Sequence, residues 1–229
     1  MKPDADHYLS QLRSIADGVL SREESWLSKA PTFDAVPMLH RNINTEILRT
    51  VLHAIRERKA LEIQYQSLSG NRPQPTWRWI SPHAFAFDGY RWHVRAFCHI
   101  DRIFKDFLLS RFLKIRSTAE AEAGLDDDCI WNEIITVVLK PHPKLTDDQK
   151  RVVVQDFEMK SERLNVQVRL VLLHYLLKQL NLDFEEDKHP SNEQHIVLDN
   201  RDEVRRALKR AQSGSSAVEL DNPLSAPTR

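Results

Sequence analysis

In the segment "RWHVRAFCH", residues 91–99, basic or imidazole side chains alternate with apolar ones over most of its length. Successive side chains of a β-strand point to opposite faces, so this alternation predicts a strand. We expect the aromatic and aliphatic face to be buried and the basic face to meet solvent, a partner or a ligand. The two faces carry Arg91, His93, Arg95, Phe97 and His99 on one side, and Tyr90, Trp92, Val94, Ala96 and Cys98 on the other.

Three further strands are predicted around this one. "LEIQYQSLSG" from Leu61 alternates, "TWRWISPHAFAFDG" follows at residues 76–89, and "IFKDFLLSRFLKIRS" forms a fourth strand region at residues 103–117. The pair Asp88-Gly89 is a typical hairpin turn between the second and third strands. Four successive strands with short turns predict a small antiparallel Sm- or SH3-like barrel, or a curled sheet, in an α+β protein.

Helical patterns precede the strands. An apolar stripe predicts a first helix from Tyr8 to Leu20, and the proline-bounded "APTFDAVP" at residues 30–37 predicts an extended connector. Asn44 is a suitable N-cap for a second helix, whose apolar stripe runs from Ile47 to Ile55.

A mixed pattern follows the strands. "IWNEIITVVLK" at residues 130–140 predicts a strand, and Thr146 with Gln149 predicts a capping box that opens a helix. "RLNVQVRLVLLHYLLKQL" at residues 163–180 fits a buried helix or a helix entered from a strand. A strand at His195–Leu198 and a helix at Asp202–Ala211 complete this part, and residues 213–229 are predicted to be a disordered tail.

The chain has 33 Lys and Arg and 33 Asp and Glu, so its overall charge gives no indication of a nucleic-acid or membrane partner. Residues 73–116, however, hold eight Lys and Arg against three acids, and an acidic run follows at residues 120–128. A basic block suggests an anion site, although charge runs are more often solvated surface. Two cysteines, no signal peptide and no apolar run of membrane-spanning length predict a cytoplasmic protein without a membrane partner.

A barrel would bring residues of other strands next to the basic face. We expect Tyr65 and Ser67 from the first strand, His83 from the second, and Ser110 or Arg111 from the fourth to join it. Hydroxyl, imidazole and guanidinium groups without a carboxylate suit a phosphate, a nucleotide or a nucleic-acid backbone. The alternative is a solvated sheet face, or one paired with the acidic run.

Catalytic and metal-binding signals are weak. The sequence has no paired carboxylates, no G-x-S-x-G elbow and no glycine-rich phosphate loop. His83, His93, His99 and Cys98 lack zinc-ligand spacing. We therefore predict a protein that is not an enzyme and needs no metal or cofactor.

The same residues resemble a known family. Trp92-His93-Val94 stands where the WYL domain of bacterial transcription regulators has its name-giving triplet, and "SPH" at 81–83 and "FLLSRF" at 107–112 match its other blocks. The chain resembles in particular the subgroup that regulates phage-defence islands such as BREX and CBASS systems. That resemblance implies a ligand-sensing barrel at residues 61–119, preceded by a helical linker at 1–60 and followed by a dimerising extension at 120–212.

The resemblance also implies a ligand face and a function. The face comprises Tyr65, Ser67, His83, His93, Arg95 and Arg111, with Arg78 and Arg91 as neighbours. We expect the sensing and dimerising portion of a homodimeric repressor, with a nucleotide or nucleic-acid-type effector that bridges Arg95, Arg111 and His93.

One part of the family pattern is not recognised in this sequence. Relatives usually begin with a winged helix-turn-helix, which we do not recognise before Leu61, so we expect a fragment or short form that reaches operator DNA through a domain not recognised in this chain. The alternative function is a stand-alone single-stranded nucleic-acid-binding module with Phe97 or Trp77 stacking on bases.

Overall fold

The chain forms two compact units, Met1–Arg41 and Asn42–Arg229. The structure is a computed structural model that describes residues 4–21, 32–37, 39, 41–68, 73–182, 184 and 189–214. The smaller unit contains helix α1 (Ala5–Ala16), which is capped by the Asp4 side chain and has no buried residue. The predicted linker at residues 1–60 is thus divided between the two units.

Helix α2 (Thr45–Arg56) opens the larger unit. The Asn44 side chain accepts hydrogen bonds from the backbone N–H groups of Glu46 and Ile47, so the predicted N-cap is confirmed. The buried residues of α2 are Ile47, Val51 and Ala54. They fall on one stripe of the helix and pack into the core beneath a β-sheet.

That sheet, which we call the sensor sheet, has five antiparallel strands in the order β4-β3-β2-β1-β5. Its strands are β1 (Lys59–Tyr65), β2 (Thr76–Phe87), β3 (Trp92–Cys98), β4 (Ile103–Leu108) and β5 (Phe112–Glu120). The predicted fourth strand region is split by a 3-10 turn at Leu109–Arg111, because β4 pairs with β3 at one edge and β5 pairs with β1 at the other. The α+β class is confirmed. In the described residues the sheet is open, so a closed Sm- or SH3-like barrel is not confirmed.

Both faces of β3 are buried from His93 to Cys98, whereas Trp92, which was expected on the buried apolar face, is 48% exposed. Val94, Ala96 and Cys98 lie in the core beneath α2, as expected for the apolar face. His93 and Arg95 on the opposite face are 5% and 0% exposed. The prediction of an accessible basic face is therefore wrong, because residues that follow β5 cover it.

The covering residues belong to what we call the C-terminal module, from α3 to α6. Its three-stranded antiparallel sheet has the order β7-β6-β8. Its elements are α3 (Cys129–Asn132), β6 (Ile134–Pro141), α4 (Asp147–Asp156), β7 (Leu164–Arg169), α5 (Leu173–Gln179), β8 (Ile196–Leu198) and α6 (Arg201–Gly214).

Most elements of the C-terminal module lie where the local sequence patterns predict them. The predicted capping box of Thr146 and Gln149 opens α4. Residues 163–180 form a strand and then a helix, the second of the two alternatives. The strand predicted from residue 130 begins only at Ile134, because Asp128 caps a short helix before it. From residue 215 the predicted tail lies outside the described residues, and no described helix has the length and apolarity that a bilayer crossing requires.

Candidate functional site: two buried basic groups

Arg95 lies at the centre of a buried charge cluster. Its Nε donates to Asp128 Oδ2 at 2.7 Å and its Nη2 donates to Asp128 Oδ1 at 3.1 Å, a two-pronged pairing that suits the planar guanidinium. Asp106, directly opposite on β4, accepts a longer bond from Nη1 at 3.4 Å. Arg95 therefore has two carboxylate partners, and the distant one in sequence is the closer in space.

His83 reaches the same cluster because β2 is irregular. The β2–β3 register shifts between Pro82 and Ala84, which leaves His83 without a partner in the ladder. Its Nε2 lies 3.0 Å from Asp128 Oδ2, while Asp128 also accepts the backbone N–H of Trp131. One carboxylate thus joins β2, β3 and the first turn of α3.

A second carboxylate, that of Asp88, pairs with basic residues at the other end of β3. Asp88 Oδ2 lies 2.9 Å from His93 Nε2 and accepts from Arg91 Nε at 2.7 Å. The other oxygen of Asp88 accepts the backbone N–H groups of Tyr90 and Arg91, which closes the hairpin turn. The His93 ring lies 5.3 Å from the ring of Tyr175 on α5, so this end is also covered by the C-terminal module.

The carboxylates of the cluster differ in acidity. Burial alone would raise the pKa of Asp128, but hydrogen bonds with His83 and Arg95 lower it to about 2. Burial opposes the same effect at Asp88, where bonds with His93 and Arg91 hold the pKa well below its ordinary value. At Asp106 burial prevails over the Arg95 charge and raises the pKa. Asp106 is therefore the least well paired of the three.

These carboxylates correct the expectation of a carboxylate-free set. Asp106 was within reach of sequence reasoning, because an antiparallel hairpin of β3 and β4 pairs it with Arg95. Asp88 was visible only as a turn residue. Asp128 belongs to the acidic run at residues 120–128, and its bonds with Arg95 confirm the alternative that the basic face pairs with this run.

Arg78 lies on the opposite face of the sensor sheet. It pairs with Ile63 in the β1–β2 ladder, and it is only 5% exposed. Its guanidinium carbon lies 5.7 Å from the ring centre of Tyr65 and 5.9 Å from that of Phe107. Nη2 donates to Thr76 Oγ1 at 2.6 Å, while Nε is buried without a hydrogen-bond partner. Within the described parts of the chain, no carboxylate forms an ion pair with Arg78.

Tyr65 is the last residue of β1, and its ring contacts the guanidinium of Arg78. Its hydroxyl accepts the backbone N–H of Leu108 at 3.1 Å, and its ring meets Phe107 and Phe112 edge to face. The backbone N–H of Gln66 donates to the carbonyl of Arg111, which places Arg111 beside the strand end that leads to the buried Ser67.

The eight predicted residues therefore form two groups. The aspartate-paired group comprises His83, Arg91, His93 and Arg95, and the aromatic group comprises Tyr65, Ser67, Arg78 and Arg111. The expectation that Tyr65 would join Arg95 on one face is wrong, because Tyr65 lies in the core with Val94 and Ala96. Ligand binding by the eight residues stays a prediction.

The residues proposed for base stacking have other neighbours. Arg102 lies over the ring of Phe97, which is buried, and Arg116 lies over the ring of Trp77 at 4.2 Å. Both rings thus have an arginine on one face. In the described ranges, no group of three or more His, Cys, Asp or Glu side chains is arranged to hold a metal ion.

Comparison with known proteins agrees with this architecture. Residues 46–117 match the WYL domain model, and residues 134–204 match the model of the BrxR transcriptional regulator, C-terminal dimerization domain. The DNA-binding transcriptional repressor CapW of Stenotrophomonas maltophilia is 36% identical over 217 residues, which cover 93% of this chain and 71% of the relative.

The chain belongs to the CapW family. The CapW repressor of Pseudomonas aeruginosa is 39% identical over 201 residues, 87% of this chain and 66% of that protein. These CapW relatives are transcriptional repressors and not enzymes, which confirms the prediction that the chain is not an enzyme. Proteasome accessory factor B/C (PafBC) of Arthrobacter aurescens aligns over 79% of this chain and 29% of its own at 18% identity, with a TM-score of only 0.30.

Proposed function

We propose that this chain is the ligand-sensing and dimerising portion of a cytoplasmic bacterial repressor that controls a phage-defence operon. The WYL match at residues 46–117, the dimerization-domain match at residues 134–204 and the repressor names of the relatives support this proposal. The chain acts as a homodimer and reaches operator DNA through a domain that we do not recognise in this sequence.

The effector in this proposal is an anionic nucleotide or nucleic-acid fragment, and Arg78 is the observation that carries it. An unpaired buried charge costs several kcal/mol of stability, roughly 3–5 when a partner is removed. Burial of Arg78 without a carboxylate therefore lowers the stability of the fold. A guanidinium has five N–H donors and matches a phosphate with two parallel bonds. Its buried, unpartnered Nε is a donor that such an anion would satisfy.

The aromatic group supplies the rest of the site. Tyr65 and Phe107 hold the Arg78 guanidinium in place, and Ser67 and Arg111 lie at the adjoining strand end. Binding at the aspartate-paired group instead would require an anion to compete with carboxylates that already pair with Arg95 and His93. We therefore assign first contact with the effector to the aromatic group.

Effector binding changes operator affinity through the dimer. A two-fold repressor reads half-sites at a fixed spacing, so a small rotation between protomers weakens DNA binding. Effector and operator affinities are then linked by one coupling free energy, typically about 1–3 kcal/mol.

The test is fluorescence anisotropy of the chain with a labelled, 5′-phosphorylated pentathymidylate. Arg78→Met keeps the length and apolar contacts of the side chain and removes its charge, so we expect at least a tenfold loss of affinity. Arg151→Ala is the control, because Arg151 is exposed on α4 and pairs only locally with Asp148. Equal binding by wild type and Arg78→Met would contradict the assignment of this site.

A salt series separates the proposed sensor from the alternative nucleic-acid module. A module that follows the backbone shows a steep loss of affinity with salt and is not displaced by a mononucleotide. A sensor pocket for one phosphate shows a shallow slope and is competed by the mononucleotide.

A further inference from the structure

Asp128 lies in the segment between the two family matches, which end at residue 117 and begin again at residue 134. A residue in a joining segment is ordinarily exposed. Asp128 is instead 1% exposed and accepts two hydrogen bonds from Arg95 of the sensor sheet. It also caps α3, which leads directly into β6 of the C-terminal module.

We propose that Arg95 and Asp128 form a latch that fastens the C-terminal module to the sensor sheet, and that an effector at Arg78 loosens it. The second half of this statement rests on the proposed function. The first half stands on the geometry alone.

Stability by itself does not explain such a pair. Replacing a buried ion pair by apolar side chains of similar volume is often neutral or stabilising, whereas removal of one partner alone is strongly destabilising. An all-or-none interaction of this kind is suited to holding two modules in one arrangement, since partial opening is strongly disfavoured.

Strand β4 connects the two faces of the sheet. Phe107 meets the Arg78 guanidinium, and its neighbour Asp106 points to the opposite face and accepts the long bond from Arg95. Leu108 is tied to Tyr65 through its backbone N–H. Because β4 is an edge strand that pairs only with β3 among the described strands, it can shift without breaking a second ladder.

The two acids around Arg95 provide two arrangements. In the present one Asp128 holds the short bonds and Asp106 the long one. A small displacement of β4 that brings the Asp106 carboxylate closer to Arg95 shortens their bond and draws the guanidinium from Asp128. The C-terminal module is then released from the sheet at α3.

The latch is tested by hydrogen exchange of the backbone amides of residues 129–133 in the full chain. Asp128→Asn retains an oxygen that can cap α3 and loses the ion pair. Asp126→Asn is the control, since Asp126 is exposed and two residues away. We expect about a hundredfold faster exchange in Asp128→Asn, which corresponds to roughly 3 kcal/mol at about 1.4 kcal/mol per tenfold. Exchange equal to that of Asp126→Asn overturns the latch.

The coupling is tested by affinity for the same labelled pentathymidylate. Linkage is reciprocal, so a latch that opens on binding predicts that Asp128→Asn binds the probe roughly tenfold more tightly than Asp126→Asn. A merely structural role predicts equal or weaker binding, and either result overturns the coupling. If wild type does not bind the probe at all, the proposed effector class and the coupling both fail, while the exchange experiment still decides the latch.

A second variant guards against misfolding of Asp128→Asn. Arg95→Lys keeps a positive charge but loses the two-pronged geometry, so it should open the latch partly. Exchange at residues 129–133 intermediate between wild type and Asp128→Asn supports the latch. Wild-type exchange in Arg95→Lys contradicts it.

Discussion

Arg78 and Arg95 are buried on opposite faces of one sheet, and they differ in charge pairing. Arg95 lies within 3.4 Å of two carboxylates, whereas among the described residues no carboxylate pairs with Arg78. We therefore expect a structural role for Arg95 and a ligand-binding role for Arg78. The pairing difference leads to opposite expectations for their replacement.

Arg95→Ala should lower the free energy of unfolding by roughly 3–5 kcal/mol, because Asp128 and Asp106 are left as buried, uncompensated charges. Urea denaturation followed by circular dichroism measures the loss. Arg151→Ala removes an exposed pair and should cost less than about 1 kcal/mol. A loss in Arg95→Ala no larger than that control would mean that water already reaches the cluster.

Arg78→Met should leave the free energy of unfolding unchanged or raise it by about 1–4 kcal/mol, since a buried charge is replaced by an apolar side chain of similar length. The same denaturation experiment measures it. A destabilised Arg78→Met would indicate that the contacts of the guanidinium with Tyr65, Phe107 and Thr76 outweigh the cost of burying its charge.

Acid should weaken the cluster in a defined window. Asp128 has a folded pKa of about 2, below its ordinary value of 3.8, so its contribution to stability is present above pH 4 and is lost as the pH falls toward 2. Asp88 acts with the same sign. We expect the contribution of Asp128 to the free energy of unfolding to be level from pH 7 to pH 5 and to fall below pH 4, so that the loss of stability below pH 4 is shallower in Asp128→Asn.

Asp106 should act with the opposite sign. Its pKa is raised by burial, so it favours folding below its ordinary pKa and loses that contribution as the pH rises through the folded pKa. Asp106→Asn should therefore cost less stability at pH 7 than Asp128→Asn does. Urea titrations of the two variants at pH 7 compare them directly, and an equal loss would show that Arg95 uses both acids equally.

Gly89→Ala should lower the free energy of unfolding by about 1–2 kcal/mol, because Gly89 has φ +95° in the β2–β3 turn, where an L-residue is strained. Space is not the cause, since an added Cβ would meet the Gln179 side chain at an ordinary 3.5 Å. Gly124→Ala is the matched control, with no positive φ and nothing within 4 Å of its Cβ. Thermal unfolding of the two variants should differ accordingly.

Local signals in the sequence were sufficient for much of the fold. The Asn44 cap and the box of Thr146 and Gln149 are formed by side chains within three residues of the helix start, so they are legible without tertiary information. Alternation likewise located β3. It could not tell whether the polar face is solvated or covered, since that depends on residues elsewhere in the chain.

The candidate site was less predictable for the same reason. Tyr65 and Arg95 fall on opposite faces because of the strand register, which no single strand reveals. The split at Leu109–Arg111 was hidden because residues 103–117 contain no glycine or proline to signal a turn between the two strands. The acidic run was one of two alternatives for what the basic face meets, and only the three-dimensional structure singles out Asp128 as the residue of that run that pairs with Arg95.

The passage from β4 to β5 through Leu109–Arg111 has a consequence for biosynthesis. Lys59 at the start of β1 pairs with Glu120 at the end of β5, so β1 keeps an open edge until the ribosome has released the residues after Arg111. An unpaired strand edge is a template for intermolecular pairing. A nascent or truncated chain that stops at this turn should therefore be the form most prone to aggregation.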